Sequence, residues 1–309
     1  MAGVGSMEEI KKNIIIWGYC ENGVKLLSEI KKKSPYNYIG YGDNSYYKKG
    51  NFVNGKKIYG IEELVELKKS CEFSVIIANR NWRLIKETCE KNEIPVEAIY
   101  SENEIHKFPF PTFETLNYKA GVRLYAGNIY DEERKKEKNL YGLSLYTEDS
   151  RHIICDIRKG YPIKDNMILS YEAEDVFEYI KKEDQVYAID EIWRVLKPGG
   201  YARFCLPDCN SPWVKNRTMR NEAGKFLYDP LGGGEYNGGI TQDGVVYFAT
   251  FEDFNETLTK TKFKRIEWIC HYTSDGVLHR KEIDMSLGHV RRLNCDDKDV
   301  YSMVVDCWK

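Results

Sequence analysis

The chain has 309 residues, with 46 Lys plus Arg against 48 Asp plus Glu and a net charge of −2. Hydrophobic residues make up 42% and charged residues 30%, which fits a globular chain of about two domains and excludes a disordered one. The near-neutral charge speaks against a dedicated nucleic-acid binder, and Lys31–Lys33 and Lys135–Lys136 read as solvated helix faces. The longest apolar run, Ile14 to Trp17, has the length of a buried strand and not of a membrane span. Residues 1–6 precede a second Met and are left out of the fold reading, and no charged-then-apolar leader follows. Nine scattered cysteines without a CxxC pattern fit reduced thiols, so a cytoplasmic location is expected.

In chain order, Asn13 to Trp17 reads as a strand ending at Gly18, and Val24, Leu26, Leu27 and Ile30 form a helical stripe. Tyr38 to Tyr41 is a second strand running into Gly42-Asp43. A helix over Ile61–Lys69, a strand over Phe73–Ala78, a helix over Leu84–Asn92 and a strand over Val96–Tyr100 follow. Buried strands alternating with amphipathic helices predict a parallel sheet covered on both faces. This first domain spans 7–105, and the Pro109/Pro111 stretch lies in a linker over 106–120.

The second domain, 121–309, repeats the α/β pattern. Its strands are Val122–Tyr125, Leu140–Leu145, Ile153–Asp156, Met167–Tyr171, Tyr201–Leu206, Arg265–Tyr272 and Tyr301–Cys307. Helices are expected over Asp184–Leu196, stopped by Pro198-Gly199-Gly200, and over Phe251–Thr261. The fold class is therefore α/β, with two Rossmann-like three-layer domains built on mainly parallel sheets.

The first motif is strand, Gly18-Tyr-Cys-Glu-Asn-Gly23, helix, and Asp43 after the next strand. That order serves nucleotides at a helix N-terminus. A tight turn without ligand is the competing reading, and Cys20 at the middle glycine position argues against a redox dinucleotide. Residues 13–103 resemble the amino-terminal domains of sugar acyltransferases and the carboxy-terminal domain of some sugar C-methyltransferases. The resemblance implies chemistry on nucleotide sugars or glycans and assigns no catalytic residue.

The strongest local signal is EIWRVLKPGGYARFCLPD (191–208), preceded by CDIRKGYPIKDNMILSYEAEDVFEYI (155–180). These strings, in this order, resemble class I S-adenosylmethionine-dependent methyltransferases over residues 117–309. The resemblance implies S-adenosylmethionine as cofactor, bound at the carboxyl ends of parallel strands. Methyl transfer from a sulfonium needs alignment more than acid–base work. By the same resemblance Asp156 and Ile157 contact the adenine, the loop Tyr125-Ala126-Gly127-Asn128 faces the amino-acid end, and Glu172, Glu174 and Asp175 are the candidates to line the methyl group. An acceptor hydroxyl needs a base, for which Asp208 and Asp175 are the candidates.

The glycine-rich loop departs from the family pattern, since only Gly127 remains in VRLYAGNIY. The acid expected after the second strand is unclear: Ser144 stands there, with Glu148 and Asp149 beyond. A non-catalytic, methyltransferase-like scaffold is therefore the alternative. Segment 229–239 holds five glycines and reads as an acceptor lid or a plain connection. Trp213 before it and Tyr236 within it read as platforms for an acceptor, and Arg291 and Arg292 suit a phosphate or carboxylate on that acceptor. No metal is expected: His271 and His279 lack companion ligands, and the run CDDKD (295–299) reads as an exposed turn. The expected activity is O-methylation of a sugar, nucleotide sugar or surface-glycan precursor. The partners are a small-molecule or glycan acceptor and a sugar nucleotide on the first domain, with homo-oligomerisation open and neither nucleic acid nor membrane span expected.

Overall fold

The computed structural model describes residues 11–32, 35–236, 239–240, 244–288, 290 and 301–309. The chain folds as two compact units, one up to Phe110 and one from Pro111.

The first unit contains β1 (Lys12–Trp17), α1 (Glu21–Lys32), β2 (Tyr36–Gly42), β3 (Phe52–Val53), β4 (Lys56–Tyr59), α2 (Ile61–Lys68), β5 (Ser74–Ile77), α3 (Trp82–Lys91), β6 (Val96–Ser101) and β7 (Glu104–Lys107). Its sheet runs β3-β4-β2-β1-β5-β6-β7. The five central strands are parallel, and β3 and β7 pair antiparallel at the two edges. Side chains alternate across a pleated strand, so Ile14 and Ile16 meet Leu26, Leu27 and Ile30 of α1, whereas Ile15 and Trp17 meet Leu64 and Cys89 of α2 and α3. A strand buried on both sides has to be apolar throughout, which accounts for the continuous IIIW run. The unit reaches past residue 105, because β7 pairs with β6 and Phe108 and Phe110, with ring centroids 4.3 Å apart, both pack on Trp82.

The second unit opens with β8 (Val122–Ala126), α4 (Glu132–Lys135), β9 (Leu140–Ser144), β10 (His152–Ile154), β11 (Ile168–Glu174), α5 (Lys182–Val195) and β12 (Leu196–Pro207). It continues with α6 (Pro212–Arg217), β13 (Met219–Arg220), β14 (Phe226–Asp229), β15 (Gly233–Tyr236), β16 (Gly239–Ile240), α7 (Phe251–Thr259), β17 (Arg265–Tyr272), β18 (Leu278–Arg280) and β19 (Ser302–Trp308). The main sheet runs β10-β9-β8-β11-β12-β19-β17-β18. Strands β8 to β12 are parallel, and β19, β17 and β18 are antiparallel to their neighbours. Strands β13 to β16 make a separate small sheet that holds part of the glycine-rich segment.

Helix α5 ends earlier than its sequence suggests. Leu196 is already extended, with ψ at 139°, so Pro198-Gly199-Gly200 falls inside β12 and not at a helix stop. A Cβ on Gly200 would stand 2.8 Å from the Leu169 carbonyl oxygen, so the glycine serves close strand contact.

The two faces of the main sheet differ. One buries Leu124, Tyr171, Ala173, Ala202, Phe204 and Met303 with Ile189 and Ile192 of α5 and Phe254 and Leu258 of α7. The other carries a buried ionic layer. Glu172 pairs with Arg134 at 2.8 Å and Arg123 at 3.1 Å, and Arg203 grips Asp306 through two bonds of 2.7 Å. Arg203 also donates to the Asp284 and Gly288 carbonyls, so each buried charge is compensated. Among the described residues no helix is long and apolar enough to cross a membrane.

Candidate functional site

Strand order in the second unit reverses between β8 and β11. From β8 the chain steps outward to β9 and β10, then crosses back to β11 and β12 on the other side. Loops diverge at such a switch point and leave a crevice beyond the strand carboxyl ends. A cavity of about 540 Å³ lies there, within the size range of small-molecule sites. Its lining comes from Ala126 at the end of β8 with Gly127 and Asn128 beyond it, Leu143 and Ser144 at the end of β9 with Leu145 and Tyr146 beyond it, Cys155 to Arg158 after β10, and Asp175, Val176, Tyr179 and Ile180 after β11.

Gly127 takes a φ of +95°, a left-handed conformation that favours glycine. Its N–H donates to the Leu143 carbonyl at 2.7 Å. A Cβ built on it would meet only Val176 Cγ2, at 3.8 Å. The backbone here is therefore open to close approach.

Behind this loop lies a buried chain of hydrogen bonds. The N–H of Ile129 donates to His152 Nε2 at 3.0 Å, and His152 Nδ1 donates to the Asp149 carboxylate at 2.9 and 3.0 Å. A backbone amide can only donate, so Nε2 carries the lone pair and the proton sits on Nδ1. Asp149 is itself fixed by the N–H groups of Arg151 and His152. Gly142 gives the ring its room, because a Cβ there would stand 2.2 Å from His152 Cδ2. In the sequence Asp149 stands out only as an acid beyond the second strand, and nothing there singles out His152.

Asp156 caps the short turn that follows β10 and is held from two sides by Arg158, whose Nε and Nη2 each donate at 2.8 Å. The Arg158 hydrogen bond keeps this carboxyl below the usual carboxylate range. Ser144 turns back on its own loop, accepting from the Tyr146 and Thr147 amides. Asp175 sits at φ +55° directly after β11, in the cavity wall. The lining thus carries two carboxylates, Asp156 and Asp175, against the single guanidinium of Arg158.

Of the residues singled out in the sequence, Ala126, Gly127, Asn128, Ser144, Asp156, Ile157 and Asp175 meet at this cavity. The others lie elsewhere. Tyr125 sits under the guanidinium of Arg134, 5.3 Å from its ring centroid. Glu172 is in the ionic layer, and buried Glu174 ends β11 without lining the cavity. Asp208 is fully buried, accepting from the Tyr272 amide at 2.7 Å and the Asn210 amide at 2.9 Å. Burial pushes its carboxyl up to about 6. This geometry ties the β12 exit to β17 and offers no oxygen to the cavity. Trp213 contacts the Tyr301 ring, at 4.8 Å between centroids, and the guanidinium of Arg217, 3.7 Å from its own centroid. Arg217 is in turn bound to Asp229. The side chain of Tyr236, together with His289, Arg291, Arg292 and the CDDKD run, lies outside the described residues. His271 and His279 stack across β17 and β18 at 5.1 Å. Among the described residues no three His, Cys, Asp or Glu side chains group as metal ligands.

The first unit has its own crevice of about 240 Å³ at the β1/β5 switch point, lined by Trp17, Asp43, Asn44, Ser45, Asn79 and Asn81 among others. Asp43 there accepts from the Tyr19 and Ser45 amides and from Lys48 Nζ, and Cys20 Sγ donates to the Ala78 carbonyl.

No family model and no curated protein matches the chain. Among solved structures, an S-adenosylmethionine-dependent methyltransferase from Mesorhizobium loti is similar at 13% identity and a TM-score of 0.38, over 61% of this chain and 90% of that one. Phosphoethanolamine N-methyltransferase 2 from Haemonchus contortus, in complex with S-adenosyl-L-methionine, is similar at 13% identity and a TM-score of 0.34, over 84% of this chain and 80% of that one. A UDP-D-quinovosamine 4-dehydrogenase from Vibrio fischeri is similar at 19% identity and a TM-score of 0.27, over 32% of this chain and 94% of its own. Likenesses this distant assign no activity to the chain.

Proposed function

We propose that the second unit is an S-adenosylmethionine-dependent methyltransferase acting on a small molecule. One observation carries the reading. The switch-point cavity gathers Ala126, Gly127, Asn128, Asp156 and Ile157, the residues that the sequence resemblance assigns to the cofactor. The lining suits the group chemically. The open backbone at Gly127 can face its amino-acid end. Leu143, Leu145, Ile157, Val176 and Ile180 provide apolar wall for an adenine. When bound, the cofactor supplies a methyl group already activated by its sulfonium.

The chain's own part is to orient and to exclude water. Asp156, stiffened by Arg158, accepts from the adenine edge, and Asp175 is the base for an acceptor hydroxyl. The acceptor is an oxygen of a sugar, nucleotide sugar or surface-glycan precursor, a class suggested by the sequence resemblance of the first unit. That unit would bind a sugar nucleotide in its own crevice or pair subunits. Ser144, folded back on its loop where an acid was expected, favours the non-catalytic alternative.

Calorimetric titration with S-adenosylmethionine and S-adenosylhomocysteine separates the two readings. Micromolar binding is expected, weakened in Asp156→Ala by about 1–3 kcal/mol, the scale of a hydrogen bond to a charged group. A screen of nucleotide sugars as methyl acceptors follows. A folded protein that binds neither compound ends the methyltransferase reading.

A further inference from the structure

We propose that His152 is a positioning residue for the cofactor loop, doing from behind what a glycine-rich motif does by its own backbone. The proposal rests on the methyltransferase reading of the cavity. Residues 126–128 and Tyr130 line the cavity, and Ile129 between them is buried. The loop that would hold the amino-acid end of the cofactor has one glycine, so its path needs external support. His152 supplies it at the Ile129 amide, in the middle of the lining segment. The ring is buried and is not part of the cavity wall, so it acts through the loop and touches no ligand. Asp149 fixes both its orientation and its tautomer. Gly142, directly opposite His152 on the paired strand, leaves the space the ring fills.

Three variants of the full chain test this. His152→Leu removes the acceptor. His152→Gln restores one, because its Oε1 can reach where Nε2 stands. Asp149→Asn keeps an oxygen for the two backbone amides but presents an NH₂ to Nδ1. Oδ1 stays within reach of Nδ1, so the Nδ1–H tautomer loses one of its two oxygen partners and the carboxylate charge, and the Ile129 bond to Nε2 is weakened and not abolished.

The readouts are the S-adenosylhomocysteine Kd, hydrogen exchange at the Ile129 amide, and Tm. The expected result is a Kd raised about tenfold in His152→Leu, the scale of one lost hydrogen bond, and by a smaller factor in Asp149→Asn. Ile129 exchange is faster in both, and His152→Gln stays within about threefold of the parent. A merely structural histidine would lower Tm in all three without this rescue pattern. An unchanged Kd in folded His152→Leu overturns the proposal, and so does a Gln variant no better than Leu. If His152→Leu does not fold, Asp149→Asn decides on the same criteria. Should the parent protein bind no S-adenosylhomocysteine, the methyltransferase reading and the cofactor role fall together. Exchange at Ile129 then judges the clamp alone: protection lost with Leu and kept with Gln retains it, and unchanged protection removes it.

Discussion

The two switch-point crevices share a topology and differ in what their loops leave free. In the first unit the turn closes on itself. A Cβ on Gly18 would stand 2.8 Å from the Ala78 carbonyl oxygen, and one on Gly23 only 2.0 Å from the Gly18 carbonyl oxygen. Asp43 is bound by two amides and by Lys48. In the second unit Gly127 has open space above it, and the loop is held from behind by His152. A glycine can thus be required by its neighbours or by its own backbone angle, and only the second case leaves room for a ligand.

The largest expected effect breaks the closed turn. Gly23→Ala should cost the first unit about 3 kcal/mol, the upper range for overpacking, because the new methyl meets backbone and not a movable side chain. Denaturant unfolding followed by a probe in the first unit would measure it. A loss under about 1 kcal/mol would mean that the turn can open, and the contrast between the crevices would fail.

The acids that follow the strands give the next test. Asp43 and Asp208 each accept two backbone amides, but only Asp43 has a salt-bridging lysine, 3.1 Å away. Burial raises the Asp208 carboxyl to about 6, so the native state holds this proton more tightly than the unfolded chain does. Its stabilising contribution is complete below about pH 4 and is lost as the pH rises through about 6. The loss over that window is on the order of 2–3 kcal/mol. Asp208→Asn should remove this slope, because the amide does not titrate. Urea unfolding at several pH values reads the effect, and an unaltered slope would place the proton elsewhere.

Much of the fold was legible in the sequence because hydrophobic period and length are local properties. The run IIIW announced a strand buried on both sides, and the cavity residues around Gly127 and Asp156 lay in recognisable strings. What escaped depended on alternation or on distance. Glu172 and Glu174 sit in SYEAE on the face opposite Tyr171 and Ala173, and a sheet of period two sends them into or beside the ionic layer. Asp208 looked like a free acid after a strand, and only the Tyr272 amide from a distant strand reveals it as an anchor. The edge strands β3, β7 and β18 are two to four residues long, too short for periodicity to find them. His152 carried no local signal, since its partners Ile129 and Gly142 belong to other strands and loops.

The smallest effect sharpens the open side of the comparison. Gly127→Ala puts a side chain at φ +95°, a strain of about 1–2 kcal/mol. It adds no clash, since the nearest atom to the new methyl is Val176 Cγ2 at 3.8 Å. Stability of the second unit should therefore fall only by that strain. Binding of S-adenosylhomocysteine should fall further, because the methyl narrows the approach to the backbone from the Val176 side, and Val176 is a cavity residue. Thermal unfolding and calorimetry on one sample compare the two losses. Equal losses would mean that the glycine serves the fold alone. A binding loss in excess of the strain assigns the space over Gly127 to the ligand, in contrast to Gly23, where the chain itself fills that space.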